Sequence, residues 1–204
     1  MGEEELRHWF ASLKEELETA YIRNTKAWEQ SGYYGSEELW TAARKPVADC
    51  IESSGSFLDI GCANGYLLEC TLKWTSEKNL EITPYGLDIS EKLIEMAKER
   101  LPEYAGNFYS GNGWDWENPV RFDYVRTELV YVPEHLQKQY LDRILITYLK
   151  EEGRLLVAEY GSGNRPPSTS YLGNLLEVWG YNVIDRKSGY YEDREHSRIY
   201  VIAR

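Results

Sequence analysis

The chain has 204 residues, 42% of them hydrophobic, and a formal net charge of −11. That length supplies one good core and little more, no run is apolar enough to cross a bilayer, and the acidic start Met1-Gly2-Glu3-Glu4-Glu5 lacks the basic-then-apolar layout of a secretory leader, so a cytoplasmic protein is expected. So acidic a chain, with Lys and Arg scattered, repels phosphate backbones and turns the reading away from nucleic acid, while its 17 Tyr and 7 Trp suit both a core and a small-molecule pocket.

Residues 3 to about 30 carry Leu6, Trp9, Phe10, Leu13 and Leu17 at helical spacing between Glu and Lys, a stripe that can pack on a core or lie over a pocket as a lid. Tyr33 and Tyr34 lie between Gly32 and Gly35 in a break. Ser36 can cap the next helix, with Glu37 and Glu38 in its first turn, and Pro46 is expected to kink or restart that helix. Phe57 to Ile60 reads as a buried strand, followed by a glycine-bearing turn and a helix through Leu67, Leu68, Leu72 and Trp74. Cys50, Cys62 and Cys70 are odd in number with no Cys-x-x-Cys pair, so neither a disulfide framework nor a zinc site is expected.

Residues 81–90 read as the second strand, with Pro84 suiting an edge or the strand's beginning, and Ser90 caps a helix through Leu93, Ile94, Ala97 and Leu101. A short third strand spans Asn107 to Ser110, a fourth Arg121 to Thr127 and a fifth Gly153 to Tyr160, with a helix through Tyr140, Leu141 and Ile144 before the fifth. Gly161 to Ser168 is a loop by composition, and a helix through Leu172 and Leu176 stops at Gly180. Tyr181 to Arg186 and Ser197 to Ala203 read as two strands with no helix between them, hence an antiparallel pair with one strand inserted into the sheet. The expected fold is α/β: a Rossmann-like, seven-stranded, mostly parallel sheet with an antiparallel C-terminal hairpin strand and helices on both faces.

Three spacings bear on function. Asp59-x-Gly61-x-Ala63-x-Gly65 follows the first strand, where a carboxylate at a strand's end and a glycine turn before a helix favour a ligand. Asp88 ends the second strand, 23 residues after Gly65 (88 − 65), at a distance that suits the two hydroxyls of a ribose. Gly111-Asn112-Gly113-Trp114 follows the third strand as a loop rich in turn residues.

Together these resemble motifs I, II and the adenine loop of the class I S-adenosylmethionine (SAM)-dependent methyltransferases over roughly residues 36–204, with residues 1–35 as an N-terminal helical cap. The resemblance implies methyl transfer from SAM to a small-molecule acceptor (amine, hydroxyl or aromatic), leaving S-adenosylhomocysteine (SAH), without a metal. It assigns SAM contacts to Asp59, Gly61, Cys62, Ala63 and Gly65, to Asp88 and Ile89, to Asn112, Gly113 and Trp114, to Thr127 at the motif IV strand, and to Trp40 and Arg44, whose guanidinium can pair with the donor's carboxylate. Ala63 replaces the motif's middle glycine, so that position must accept a Cβ. Where many relatives have His or Glu this chain has Tyr131, whose ring can attract the sulfonium; Tyr131 and Tyr33 are the acceptor-side candidates, and no general base is assigned. Two other readings stay open: a non-catalytic SAM or nucleotide sensor or scaffold on the same fold, kept by Ala63 and the missing base, and an NAD-dependent oxidoreductase, which expects Gly-x-Gly-x-x-Gly where the chain has Gly61-x-x-x-Gly65. The sequence leaves the oligomeric state open.

Overall fold

The structure, a computed structural model, describes residues 2–32, 35–118, 120–161, 167 and 171–204. Helix α1 (Glu3–Tyr21) and helix α2 (Glu37–Asp49) lead into a repeating strand–helix chain. It runs β1 (Gly55–Ile60), α3 (Tyr66–Ser76), β2 (Ile82–Asp88), α4 (Glu91–Arg100), β3 (Phe108–Ser110), β4 (Phe122–Thr127), α5 (Gln137–Thr147), β5 (Leu149–Tyr160), α6 (Tyr171–Val178), β6 (Val183–Tyr191) and β7 (Arg194–Ala203). The seven strands lie in the order β3-β2-β1-β4-β5-β7-β6. Pairings are parallel from β3 through β5 and antiparallel on both sides of β7, the inserted strand.

Alternation along the strands splits the core in two. Phe57, Tyr124 and Leu156 face α2, α3 and α4, packing with Trp40, Leu68 and Ile94. Leu58, Val125 and Leu155 face the opposite layer, with Phe10 of α1, Tyr140 and Ile144 of α5, and Leu176 of α6. Helices therefore cover both faces, and the chain reverses at the β1/β4 boundary, where open α/β sheets bind ligands beyond their carboxyl ends.

Several elements differ from the sequence reading; β5 begins at Leu149 rather than Gly153, because Leu149 already pairs with Phe122 ahead of a register shift in the β4–β5 ladder. The first helix ends at Tyr21 rather than near residue 30. Pro46 lies inside an unbroken α2. The carbonyl it leaves without a helical donor is that of Ala42, which β6 approaches so closely that a Cβ on Gly189 would lie 2.2 Å from it. Pro84 lies within β2, which is not an edge strand, but β3 pairs only with Gly86, Leu87 and Asp88, so the β3 side of Pro84 needs no ladder donor. The last two strands run longer than expected because Glu192 and Asp193, at φ 47° and 60°, close a two-residue hairpin between Tyr191 and Arg194.

Candidate active site

The turn after β1 is built from backbone hydrogen bonds before any ligand is considered. Gly61 and Cys62 both donate from their N–H to the Leu87 carbonyl, at 2.7 and 3.1 Å, which fixes the end of β1 against the end of β2. Gly61 at φ 76° and Ala63 at φ 47° are both left-handed. The turn holds Ala63 in that conformation by its N–H, which donates to Asp88 Oδ2 at 2.8 Å. Asp88 Oδ1 accepts from the Ser90 N–H at 2.9 Å. Ser90 caps α4, its hydroxyl accepting from Leu93 N–H and donating to Glu18 Oε1 of α1 at 2.8 Å. Burial pushes the Asp88 carboxyl up to about 6, although the two backbone donors pull it down.

A second cluster lies where β1 meets β4. The parallel register sets Asp59 beside Arg126. Arg126 Nη1 donates to Asp59 Oδ1 at 3.1 Å and to the Tyr131 hydroxyl at 3.0 Å. Its Nη2 donates to Glu128 Oε1, which also accepts from the Tyr131 hydroxyl at 2.8 Å. Asp59 and Arg126 are buried, and Asp59 Oδ2 and Arg126 Nε have no hydrogen-bond partner among the described residues. Burial lifts Asp59 to about 6 despite Arg126, while the tyrosines and carboxylates around Arg126 outweigh burial and keep its guanidinium charged. Beyond it, Arg44 stacks 3.4 Å from the ring centre of Tyr160.

These groups line one cavity of about 570 Å³. Asp88, Ile89, Asn112 and Gly113 line it from the ends of β2 and β3; Arg44 lines it from α2, Glu128 and Tyr131 from the segment after β4, and Tyr160 from the end of β5. Helix α1 roofs it with Phe10, Leu13, Leu17 and Tyr21. The roof is tied to α4 by Lys14 with Glu91 and by Lys92 Nζ with Glu18 Oε2 at 2.7 Å. Among the described residues no group of three or more His, Cys, Asp or Glu is placed to hold a metal, and no helix is long and apolar enough to cross a membrane.

A family model described as a methyltransferase domain matches residues 51–177, well over half of the chain. The chain belongs to the methyltransferase-domain family. Its fold is that of solved methyltransferases. The 1,6-didemethyltoxoflavin-N1-methyltransferase of Burkholderia thailandensis, with bound 1,6-didemethyltoxoflavin and SAH, superposes with TM-score 0.70 at 16% identity, over 98% of this chain and 90% of its own. Magnesium protoporphyrin IX methyltransferase of Synechocystis PCC 6803, with bound SAM, gives 0.64 at 15% identity over 96% of both chains. An N-methyltransferase of Bradyrhizobium japonicum WM9, in complex with SAH, gives 0.60 at 13% identity over 93% of this chain and 97% of its own. No curated protein matches the chain in sequence.

Within this methyltransferase domain, the expected residues Asp59, Gly61, Cys62, Ala63, Asp88, Ile89, Asn112, Gly113, Trp40 and Arg44 all reach the cavity, as does Tyr131. Three others do not. Gly65, at φ 75°, is close-packed instead: a Cβ there would lie 3.0 Å from that of Ala97 on α4. Thr127 points into the layer under α5, its hydroxyl 2.6 Å from that of Tyr140. Trp114 faces a separate small pocket with Asp115, Glu117 and Arg143. Tyr33 lies outside the described residues. Asn112 spends its carbonyl on the N–H groups of Trp114 and Asp115, at 2.9 and 3.1 Å, which leaves its NH₂ as the group for a ligand. Arg126 and Glu128 were not singled out by the sequence reading; opposite charges ending neighbouring apolar strands were the available signal.

Gly65→Ala tests the packing role of that glycine. It adds a left-handed alanine and a close contact at 3.0 Å. The variant is expected to lose about 2–3 kcal/mol of stability in urea unfolding, and an unchanged midpoint counts against the close-packing account.

Proposed function

We propose that this cavity binds SAM and that the protein transfers its methyl group to a small-molecule acceptor, with residues 1–35 acting as a helical cap on the methyltransferase domain at 36–204. The observation that carries the reading is the Asp88 carboxylate, clamped at the cavity's edge by the N–H groups of Ala63 and Ser90. The clamp fixes both oxygens while each keeps a lone pair for a ribose hydroxyl. The other groups fit the rest of the donor. Asn112 offers its NH₂ to an adenine ring nitrogen. The orphaned Asp59 Oδ2 suits the amino group and Arg44 the carboxylate of the methionine portion.

When bound, SAM supplies a methyl group already activated by a positive sulfur. The chain's work is alignment and the exclusion of water. Phe10, Leu13 and Leu17 of α1 provide an apolar roof, and the Arg126 network fixes the wall formed by Tyr131 and Glu128.

Calorimetry with SAM, SAH and NAD tests the donor assignment. SAM and SAH are expected to bind and NAD is not; NAD binding without SAM turns the reading to an oxidoreductase. Labelled-methyl transfer across an acceptor panel then separates an enzyme from a SAM sensor.

Affinity should also depend on pH through Asp88. Its carboxyl, near 6 in the free protein, must be ionised to accept both ribose hydroxyls. Protonation therefore opposes binding, as does that of Asp59, also raised to about 6, so SAM affinity is expected to fall roughly tenfold or more between about pH 8 and about pH 5. A flat calorimetric profile over that range argues against an ionised Asp88 at the ribose.

A further inference from the structure

The donor groups proposed above lie mostly at the ends of β1, β2 and β3, which leaves the β4 and β5 side of the cavity for the acceptor. Three described carboxylates line the cavity: Asp59, Asp88 and Glu128. Both oxygens of Asp88 are held by backbone N–H groups. Asp59 is 1% exposed, with one oxygen on Arg126 and the other assigned above to the donor's amino group. Glu128, directly after β4, is different. Its side chain is 20% exposed. Arg126 and Tyr131 both bind Oε1, which fixes the carboxylate and leaves Oε2 with no hydrogen bond among the described residues. The same cavity is lined by Val130, 66% exposed, and by Tyr131 and Tyr160.

We propose that Glu128 is the residue that receives the methyl acceptor, and that the acceptor is an amine on an aromatic or apolar body, whose N–H donates to Oε2. The inference rests on the SAM-binding reading and deepens it. A carboxylate is too weak a base to deprotonate an alcohol before attack. An alkylamine that arrives as its ammonium first gives one proton to water through Oε2; once neutral it needs no stronger base, because its lone pair is then available and its remaining proton becomes acidic only as the new bond forms. That lone pair forms the N–C bond while the sulfur–methyl bond breaks, its electron pair remaining on sulfur. The proton left on nitrogen passes to Glu128 Oε2 and then to water. Arg126 and Tyr131 are positioning residues, holding Oε1 so that Oε2 faces the acceptor. An acceptor presenting its own carboxylate to Glu128 is repelled.

The test uses the full chain loaded with SAH, with benzylamine and benzoate as probes in amide NMR titrations. Benzylamine is expected to shift the signals of Glu128, Val130 and Tyr131 and to bind about tenfold or more tightly than benzoate, as a hydrogen bond to a charged group provides. In Glu128→Gln this preference should fall by about the same factor, while SAH affinity by calorimetry changes less than about threefold. A general structural disturbance would weaken both probes alike rather than remove the preference. Benzoate binding as tightly as benzylamine, no benzylamine binding, or a preference retained in Glu128→Gln overturns the assignment. Should Glu128→Gln fail to fold, the comparison of probes on the wild-type chain still decides. SAH failing to bind the wild type sinks the donor reading itself, whereas SAH bound without an amine preference sinks only the role of Glu128.

Discussion

Asp88→Ala is expected to weaken SAM binding by about a hundredfold or more, because two hydrogen bonds from ribose hydroxyls to a charged group are lost. The structure adds a second effect that the motif alone does not show. Asp88 also accepts the N–H groups of Ala63 and Ser90, at 2.8 and 2.9 Å. Both residues are buried. Removing their acceptor leaves two donors unsatisfied and should cost about 2–4 kcal/mol of stability, enough to lower the urea midpoint clearly. The two effects are separable. Calorimetry at a temperature where circular dichroism shows the variant folded reports binding alone. Asp88→Asn keeps one carbonyl oxygen for a backbone donor, so it should retain more stability than the alanine variant while still losing most SAM affinity. SAM affinity within threefold of wild type in a folded Asp88→Ala protein would falsify the ribose role.

The layout of strands and helices was legible because alternation is strong where it matters. Phe57 and Leu58 are neighbours in sequence and belong to opposite core layers. The same alternation explains two residues that a motif reading places less well. Thr127 shares its face with Val125 and is directed at Tyr140 beneath α5, while Arg126 shares the face of Tyr124 and reaches Asp59. A spacing rule that names the end of β4 does not say which of the two reaches the cavity; the phase of the strand does. Gly65 presents a related ambiguity, since a glycine at a helix start serves either a ligand or a neighbouring helix, and only the position of Ala97 decides. Arg126 escaped notice because arginine is mostly a surface residue, and burial becomes tolerable only through partners on other segments. Asp59 lies 67 positions away in sequence. Strand pairing makes the two neighbours.

That pairing makes Arg126 the position where a single change should disturb the folded chain most. Arg126→Ala leaves Asp59 enclosed without its cation and removes a partner from Glu128 and Tyr131. Breaking a buried ion pair from one side costs about 3–5 kcal/mol, because the surviving charge stays out of water unpaired. The loss should shrink when Asp59 is made neutral. In an Asp59→Asn background, Arg126→Ala is expected to cost only about 1–2 kcal/mol, the packing and remaining hydrogen bonds of the side chain. The pH dependence has a definite sign. Asp59 is already raised to about 6 beside Arg126. Losing the cation raises it further above its unfolded value of about 3.9, so the variant's native state takes up a proton that its unfolded state takes up only at lower pH. The stability lost in Arg126→Ala is therefore greatest above the raised folded pKa. It is recovered as pH falls through that pKa toward the unfolded one. Urea midpoints of wild type, both single variants and the double variant, at about pH 7.5 and about pH 5.5, measure the coupling and its pH dependence together. A deficit that is the same at both pH values and undiminished by Asp59→Asn would assign the cost of Arg126→Ala to lost packing rather than to an unpaired Asp59.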